Sequence, residues 1–225
     1  MRRLLIVRPE PGATTTVERA TSLGLDALAM PLFAIEALAW QAPDADSFDG
    51  LLLTSANAFR CGGEQLERLR GLPVHAVGAA TAQAARAAGF AVAACGDGGA
   101  EQLLQSIAPA LRLLHLCGEH RIAFNAGQAI TSVPVYRSNQ LPAPVGLNQV
   151  AGQVAAIHSP RAGRRFAELA IEAGIDRSTV GIAAISAAAA AAVGTGWDQV
   201  AVAAAPDDRA LLALAARLCD KPVTI

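Results

Sequence analysis

The sequence predicts an α/β fold: two similar doubly wound parallel-sheet domains joined by two crossover segments, with a cleft between them. Three observations carry that expectation. Short, almost continuously apolar runs alternate with helical stretches from end to end, the pattern of parallel strands buried on both faces beneath helices. Two polar, proline-bearing stretches interrupt the rhythm, Gln41-Ala42-Pro43-Asp44 and Ser138-Asn139-Gln140-Leu141-Pro142-Ala143-Pro144, and both read as linkers. An internal repeat relates the segments on either side of them.

Strands are expected at Leu4–Val7, Ala27–Leu38 (broken by Pro31), Leu51–Thr54, Val74–Val77, Ala91–Ala94, Leu111–Leu116 and Val133–Tyr136. Further strands are expected at Val154–His158, Val180–Ile185 and Val200–Ala204. Helices are expected near 14–23, 57–70, 79–88, 99–108, 161–173, 187–193 and 207–219. The linkers at 41–44 and 138–144 cut out an inserted domain, 45–137. Residues 1–40 hold too few strands to stand alone, so they join 145–225 in a discontinuous domain. In the repeat, Ser55 falls on Ser159, and Val77-Gly78-Ala79-Ala80-Thr81-Ala82 falls on Ile185-Ser186-Ala187-Ala188-Ala189-Ala190. Val92 to Leu104 then falls on Val200 to Leu212. The chain has 52 alanines, which inflate identities, so order and spacing carry the comparison.

Composition bounds the function. Of 225 residues 53% are hydrophobic and 16% charged, which excludes disorder. A net charge of -1 supplies no basic field for nucleic acid. No apolar run approaches the roughly 18 residues of a membrane span. Met1-Arg2-Arg3-Leu4-Leu5-Ile6-Val7-Arg8 has a basic start, but its apolar stretch is shorter than the roughly 7–15 residues of a signal h-region, so it reads as a first buried strand. Cys61, Cys95, Cys117 and Cys219 have no C-x-x-C spacing, as in a reducing compartment. A cytoplasmic monomer is expected.

Ligands of open α/β sheets bind beyond the carboxyl ends of the strands. There the sequence places Thr54-Ser55-Ala56-Asn57, Gly78-Ala79-Ala80-Thr81, Cys95-Gly96-Asp97-Gly98-Gly99, Cys117-Gly118-Glu119, His158-Ser159-Pro160 and Ser186-Ala187. Such loops can cap a helix, or offer its first N–H groups to a carboxylate or phosphate. Several of them at one cleft point to a polyanionic ligand. A phosphate loop, a complete G-x-G-x-x-G and a G-x-S-x-G are all missing, which removes nucleotide and hydrolase chemistry. Cys117-Gly118-Glu119-His120 could offer metal ligands, but no second cluster completes a site. His158 and Ser159 are adjacent in a strand, point to opposite faces and so do not form a base–nucleophile pair. His75 and His115 read as core histidines. Tyr136, the one tyrosine, is either a half-buried strand aromatic or a phenol able to move a proton in the cleft. Arg8, Arg60, Arg121, Arg137, Arg161 and Arg164 lie near strand ends or linkers, where each is either solvated or a carboxylate partner.

An ordered succession of pieces then becomes recognisable. It runs Val7-Arg8-Pro9-Glu10, Pro31-Leu32-Phe33-Ala34-Ile35, Phe48-Asp49-Gly50-Leu51-Leu52-Leu53-Thr54-Ser55-Ala56-Asn57-Ala58, Val74-His75-Ala76-Val77-Gly78-Ala79-Ala80-Thr81-Ala82, Leu116-Cys117-Gly118-Glu119, Val135-Tyr136-Arg137-Ser138, Ser159-Pro160 and Ala184-Ile185-Ser186. With these the chain resembles the uroporphyrinogen-III synthase family over nearly its whole length. The resemblance implies a cofactor-free lyase, without metal, that cyclises hydroxymethylbilane to uroporphyrinogen III with loss of water and inversion of the last pyrrole ring. It implies that Tyr136 assists departure of the hydroxyl. It also implies that Ser159 and Thr81 line the cleft and bind and orient the linear tetrapyrrole polycarboxylate, and the strand-end residues Arg8, Ser55, Ala56, Gly78, Ala79, Gly118, Pro160 and Ser186 are expected to bind it with them. Two departures stand out. The segment 119–131 is short for the helix expected after the Gly-Glu loop, and Ala187-Ala188-Ala189 stands where relatives carry a threonine, leaving Ser186 as the nearby hydroxyl. The alternative is a non-catalytic two-domain cleft protein that binds a small polyanion.

Overall fold

The computed structural model describes residues 1–96, 99–120 and 124–220. They divide into two compact units, Met1–Ala34 with Gln140–Ile225, and Ile35–Asn139. The division differs from the expected linkers. Residues 35–44 belong to the second unit: Ala42 is buried in its core, the Trp40 indole N–H donates to the Gly62 carbonyl at 2.9 Å, and the Ala42 N–H donates to Gln65 Oε1 at 3.0 Å. The second cut falls between Asn139 and Gln140, at the end of a strand running Ala129–Gln140 rather than in an irregular linker.

Unit 1 contains β1 (Leu4–Ile6), α1 (Gly12–Ser22) and β2 (Ala27–Ala29). After the excursion through unit 2 come β9 (Val154–Ile157), α5 (Pro160–Glu172), β10 (Gly181–Ala184), α6 (Ala187–Val193), β11 (Gln199–Val202) and α7 (Asp208–Cys219), numbered in chain order. The strands pair in parallel in the order β11-β10-β9-β1-β2. Their side chains alternate strictly. Leu5, Val7, Ala155, Ile157, Ile182 and Ala184 pack with Phe166 and Leu169 of α5, whereas Leu4, Ile6, Val154, Ala156 and Ala183 pack with Ala20 of α1 and Leu211, Leu214 and Leu218 of α7. Helices therefore cover both faces, as doubly wound topology requires.

Unit 2, from Ile35 to Asn139, takes most of β3 (Phe33–Ala37), then β4 (Gly50–Leu53), α2 (Asn57–Cys61), β5 (Val74–Val77), α3 (Ala79–Ala87), β6 (Val92–Gly96), α4 (Ala100–Ser106), β7 (Arg112–Gly118) and all but the last residue of β8 (Ala129–Gln140), in the order β3-β8-β7-β4-β5-β6. The β6-β5-β4-β7-β8 run is parallel throughout. Leu51, Leu53, Leu114 and Leu116 face Ala58, Leu66, Ala82 and Ala85, and Leu52 and Leu113 face Leu103 and Leu104 of α4. The helix expected over 57–70 is corrected: α2 stops at Cys61, and Gly63, with φ +58, introduces a 3-10 stretch, Gly63–Leu69. The single strand expected over 27–38 is also two, since β2 and β3 enter different sheets. Among the described residues of 119–131 no helix forms. Instead the buried Gln128 amide donates to the carbonyls of Leu104 (2.7 Å), Ile107 and Ala108 (both 3.3 Å), closing the end of α4.

The amino ends of the unit 1 strands are tied by one buried cation. Arg2 donates to the carbonyls of Gly152 (2.7 Å), Gln153 (2.8 Å) and Thr179 (2.8 Å) and to Asp198 Oδ2 (2.7 Å). Arg2→Met strands those acceptors, and a loss of about 3 kcal/mol is expected. Urea unfolding in a Trp40→Phe background checks it, because Trp197 then reports unit 1 alone; an unchanged midpoint would mean the Arg2 contacts contribute nothing net.

Candidate functional site

Where the strand order reverses, a doubly wound sheet leaves a crevice beyond its strand ends. In unit 2 that point lies between β4 and β7, and the chain puts Thr54-Ser55 after one strand and Gly118-Glu119 at the end of the other. A cavity of about 290 Å³ opens there, lined by Thr54, Val77, Ala100, His115, Cys117, Gly118, His120, Phe124 and Tyr136.

Tyr136 reaches this place through an irregularity in β8. The β7–β8 register pairs Cys117 with Pro134 and then Gly118 with Tyr136, so β8 takes one extra residue and the tyrosine is turned onto Gly118. A Cβ at Gly118 would lie 2.9 Å from Tyr136 Cε2 and 3.1 Å from Cζ, so the ring rests against bare backbone. Burial pushes the phenol above its usual value of 10.0, while the Ser55 hydroxyl and the Gly118 backbone beside it act in the opposite direction. Tyr136, Ser55 and Gly118 are thus brought together. At the floor of the cavity His115, 1% exposed, stands with Nε2 3.3 Å from Thr54 Oγ1 and Nδ1 3.3 Å from Ser132 Oγ. Sequence reasoning read His115 as a core residue. It is buried, yet it is also a wall of the site, a double role that adjacency in a strand cannot reveal.

Gly78, with φ +84, precedes α3, whose first turn has no side-chain cap and no acidic residue; the Gly78 N–H itself donates to the Gly96 carbonyl at 2.6 Å, which leaves the N–H groups of Ala79 and Ala80 at the positive end of the helix. Ala56 is nearly buried at the start of α2. Thr81 needs correction: at 4% exposure it presents almost nothing to a ligand. Arg137 is paired with Glu36 through Nε (3.0 Å) and Nη2 (3.1 Å), and Arg60 donates to Asn57 Oδ1 at 2.9 Å. Arg121 lies outside the described residues, as do Asp97 and Gly98.

In unit 1 the strand order reverses between β1 and β9, where Arg8 and His158 follow the strands. Ser159 caps α5, accepting from the Ala162 N–H at 3.1 Å with Pro160 next, and Ser186 caps α6, accepting from Ala189 at 3.2 Å. His158 turns to the opposite face, where its Nε2 lies 3.1 Å from Asp208 Oδ1. The two neighbours therefore diverge, as strand geometry demands. Arg161 stacks on Phe33, its guanidinium carbon 4.4 Å from the ring centre. Asp208 was not foreseen; it also accepts from Thr16 Oγ1 (3.0 Å) and Arg19 Nη1 (2.8 Å), and Arg8 Nη1 lies 3.6 Å away. Burial acts to raise the Asp208 carboxyl, but these donors hold it far below the usual carboxylate range. Burial pushes His158 below its usual 6.5, against the opposite pull of Asp208 and the Ala156 backbone.

These features define an α/β protein with two parallel-sheet units whose strand ends carry small, hydroxyl-bearing and glycine residues, with a single phenol among those of unit 2. The family model for uroporphyrinogen-III synthase HemD matches residues 14–213. The chain belongs to the uroporphyrinogen-III synthase family, a family of enzymes in tetrapyrrole biosynthesis. Its fold resembles the uroporphyrinogen-III synthetase of Helicobacter pylori 26695, with TM-score 0.67 and 17% identity, covering 97% of this chain and 100% of that one. It also resembles a mutant uroporphyrinogen III synthase of the extremely thermophilic bacterium Thermus thermophilus, with TM-score 0.59 and 18% identity, covering 98% and 100%. Among curated proteins there is no significant match. Among the described residues no helix is long and apolar enough to cross a membrane.

Two measurements check the electrostatics. Because Tyr136 is the one tyrosine, alkaline absorbance titration reports it alone: a midpoint above 10 is expected, moving higher still in Ser55→Ala. For His158 the folded group resists a proton that the unfolded chain accepts below 6.5, so acidification through that window removes stability. Comparing melting temperatures at about pH 7 and about pH 5 should show a smaller drop for His158→Gln than for the wild type.

Proposed function

We propose that this enzyme is a uroporphyrinogen-III synthase, a lyase that cyclises hydroxymethylbilane to uroporphyrinogen III with loss of water. The observation that carries the reading, beside family membership, is Tyr136 lying against Gly118 beside Ser55, at the point where the unit 2 sheet reverses its strand order.

The reaction needs the terminal hydroxyl to leave with a proton while the neighbouring pyrrole nitrogen pushes its electrons into the ring. The last ring attacks the resulting electrophilic methylene through its already substituted α carbon, giving a spiro intermediate. The bond from that carbon to the bridge methylene of the preceding ring then breaks. The bridge methylene re-bonds at the free α carbon of the last ring, and that carbon loses its proton. A phenol whose proton burial retains can hydrogen-bond the departing hydroxyl and give it that proton. No metal or cofactor is called for in this scheme. The substrate carries carboxylates on every ring, and helix starts without acidic residues in their first turns, those of α3 and α5, suit them, whereas at α1 the Glu10 carboxylate already accepts from the Thr14 N–H at 3.0 Å. Gly78, Ala79, Ser55, Ala56 and Gly118 in unit 2, and Arg8, Ser159, Pro160 and Ser186 in unit 1, are the proposed binding residues. Thr81 supports the start of α3 from within. We place the enzyme in the cytoplasm as a monomer.

The test supplies fresh hydroxymethylbilane, oxidises the products and separates the uroporphyrin isomers. Isomer III in excess over the enzyme-free control is expected; isomer I alone from folded protein would leave a non-catalytic polyanion binder. Tyr136→Phe should slow type III formation by about 10²-fold with the fold intact. An unchanged rate would remove the phenol from the mechanism. Gly118→Ala should also slow it, since the new methyl group displaces the ring.

A further inference from the structure

The polar cluster of unit 1 is built from four elements. Register between β1 and β9 pairs Leu4 with Val154 and Ile6 with Ala156, and continuing it sets Arg8 beside His158. Helix α1 contributes Thr16, fully buried, together with Arg19, and α7 contributes Asp208. The Thr16 hydroxyl has one proton. It donates that proton to Asp208 Oδ1 at 3.0 Å and accepts from Arg8 Nη1 at 3.3 Å, so the hydroxyl orients the guanidinium against the carboxylate. Gly12 opens α1, and a Cβ there would stand 2.6 Å from Arg8 Nε and 2.9 Å from Cζ, so Arg8 lies directly on backbone.

Helix capping does not account for Asp208. Asp207 already caps α7, accepting from the Ala210 N–H at 2.8 Å. Nor is the cluster an ordinary surface ion pair, since the Asp208 and His158 side chains are 13% and 7% exposed while the Arg8 side chain remains 35% exposed. Two arginines of the cluster reach solvent, Arg19 (58% exposed, 2.8 Å from Asp208) and Arg8; of the two, Arg8 stands at the strand end where ligands of such sheets sit. We propose that Asp208, supported by His158 and Thr16, is a positioning residue that holds the Arg8 guanidinium to receive a carboxylate of the substrate. This rests on the reading of Arg8 given under Proposed function. A guanidinium fixed before binding loses less freedom when it grips a carboxylate, so its support acts on substrate affinity.

The test combines steady-state kinetics on hydroxymethylbilane with fluorescence titration of uroporphyrin III, a polycarboxylate that is not turned over. Asp208→Asn should raise KM and the uroporphyrin dissociation constant about tenfold, with the effect falling on KM rather than kcat. Thr16→Val, a smaller change that spares the charge, should move both in the same direction. In an Arg8→Gln background the Asp208→Asn change should add nothing. Loss of kcat without a rise in KM, unchanged affinity in a folded Asp208→Asn protein, or an equal rise in the Arg8→Gln background would each overturn the proposal. If the wild type forms no isomer III, the synthase reading fails by itself. The uroporphyrin titrations then still decide whether Asp208 acts through Arg8.

Discussion

In unit 1 the parallel strands carry polar side chains only at their ends, and the chemistry of that unit follows from the two-sided cover of helices that imposes this. Along β1, β9 and β10 every residue is buried, and the side chains divide alternately between two apolar layers. The first polar residue before β1 is Arg3 and the buried one is Arg2, which gathers the loops leading into β9, β10 and β11. The first after β1 and β9 are Arg8 and His158. One end of the sheet thus uses its cation for cohesion, and the other holds a cation at the surface, because only there do the loops reach a ligand.

Unit 2 meets the same constraint by backbone means. Its reversal point falls between β4 and β7, and the extra residue in β8 brings Tyr136 onto Gly118. The phenol gains burial from the sheet and keeps one side toward the cavity, so its proton is retained while Ser55 moderates the shift. A side chain at position 118 would remove this arrangement. The glycine is therefore a requirement of the tyrosine's position rather than of any unusual torsion.

Electrostatically the chain suits an acidic ligand without being a basic protein. The starts of α3 and α5, free of acidic first-turn residues, together with arginines held one by one, provide local positive potential under a net charge of -1. Several of the arginines near strand ends are engaged elsewhere, Arg137 with Glu36 and Arg161 on Phe33. Arg8 differs in having a buried carboxylate and a buried hydroxyl arranged around it.

The sequence by itself determined the layer structure, because two-sided burial demands unbroken apolar runs and leaves few other ways to read them. It also determined the caps at Ser159 and Ser186, which are local hydrogen bonds, and the divergence of His158 from Ser159, which follows from strand alternation. Tyr136 was visible as the lone phenol at a strand exit. Tertiary structure alone decided the rest. Strand order cannot be read from apolar runs, and with it go the two reversal points. The helix expected over 57–70 stopped at the Gly62-Gly63 pair, and the first division of the chain fell in β3 because contacts of Trp40 and Ala42 hold that stretch to unit 2. Thr16 and Asp208 meet across 192 residues, and Gly118 meets Tyr136 through a slip of register. Both contacts depend on which elements lie side by side, and spacing along the chain carries no record of that.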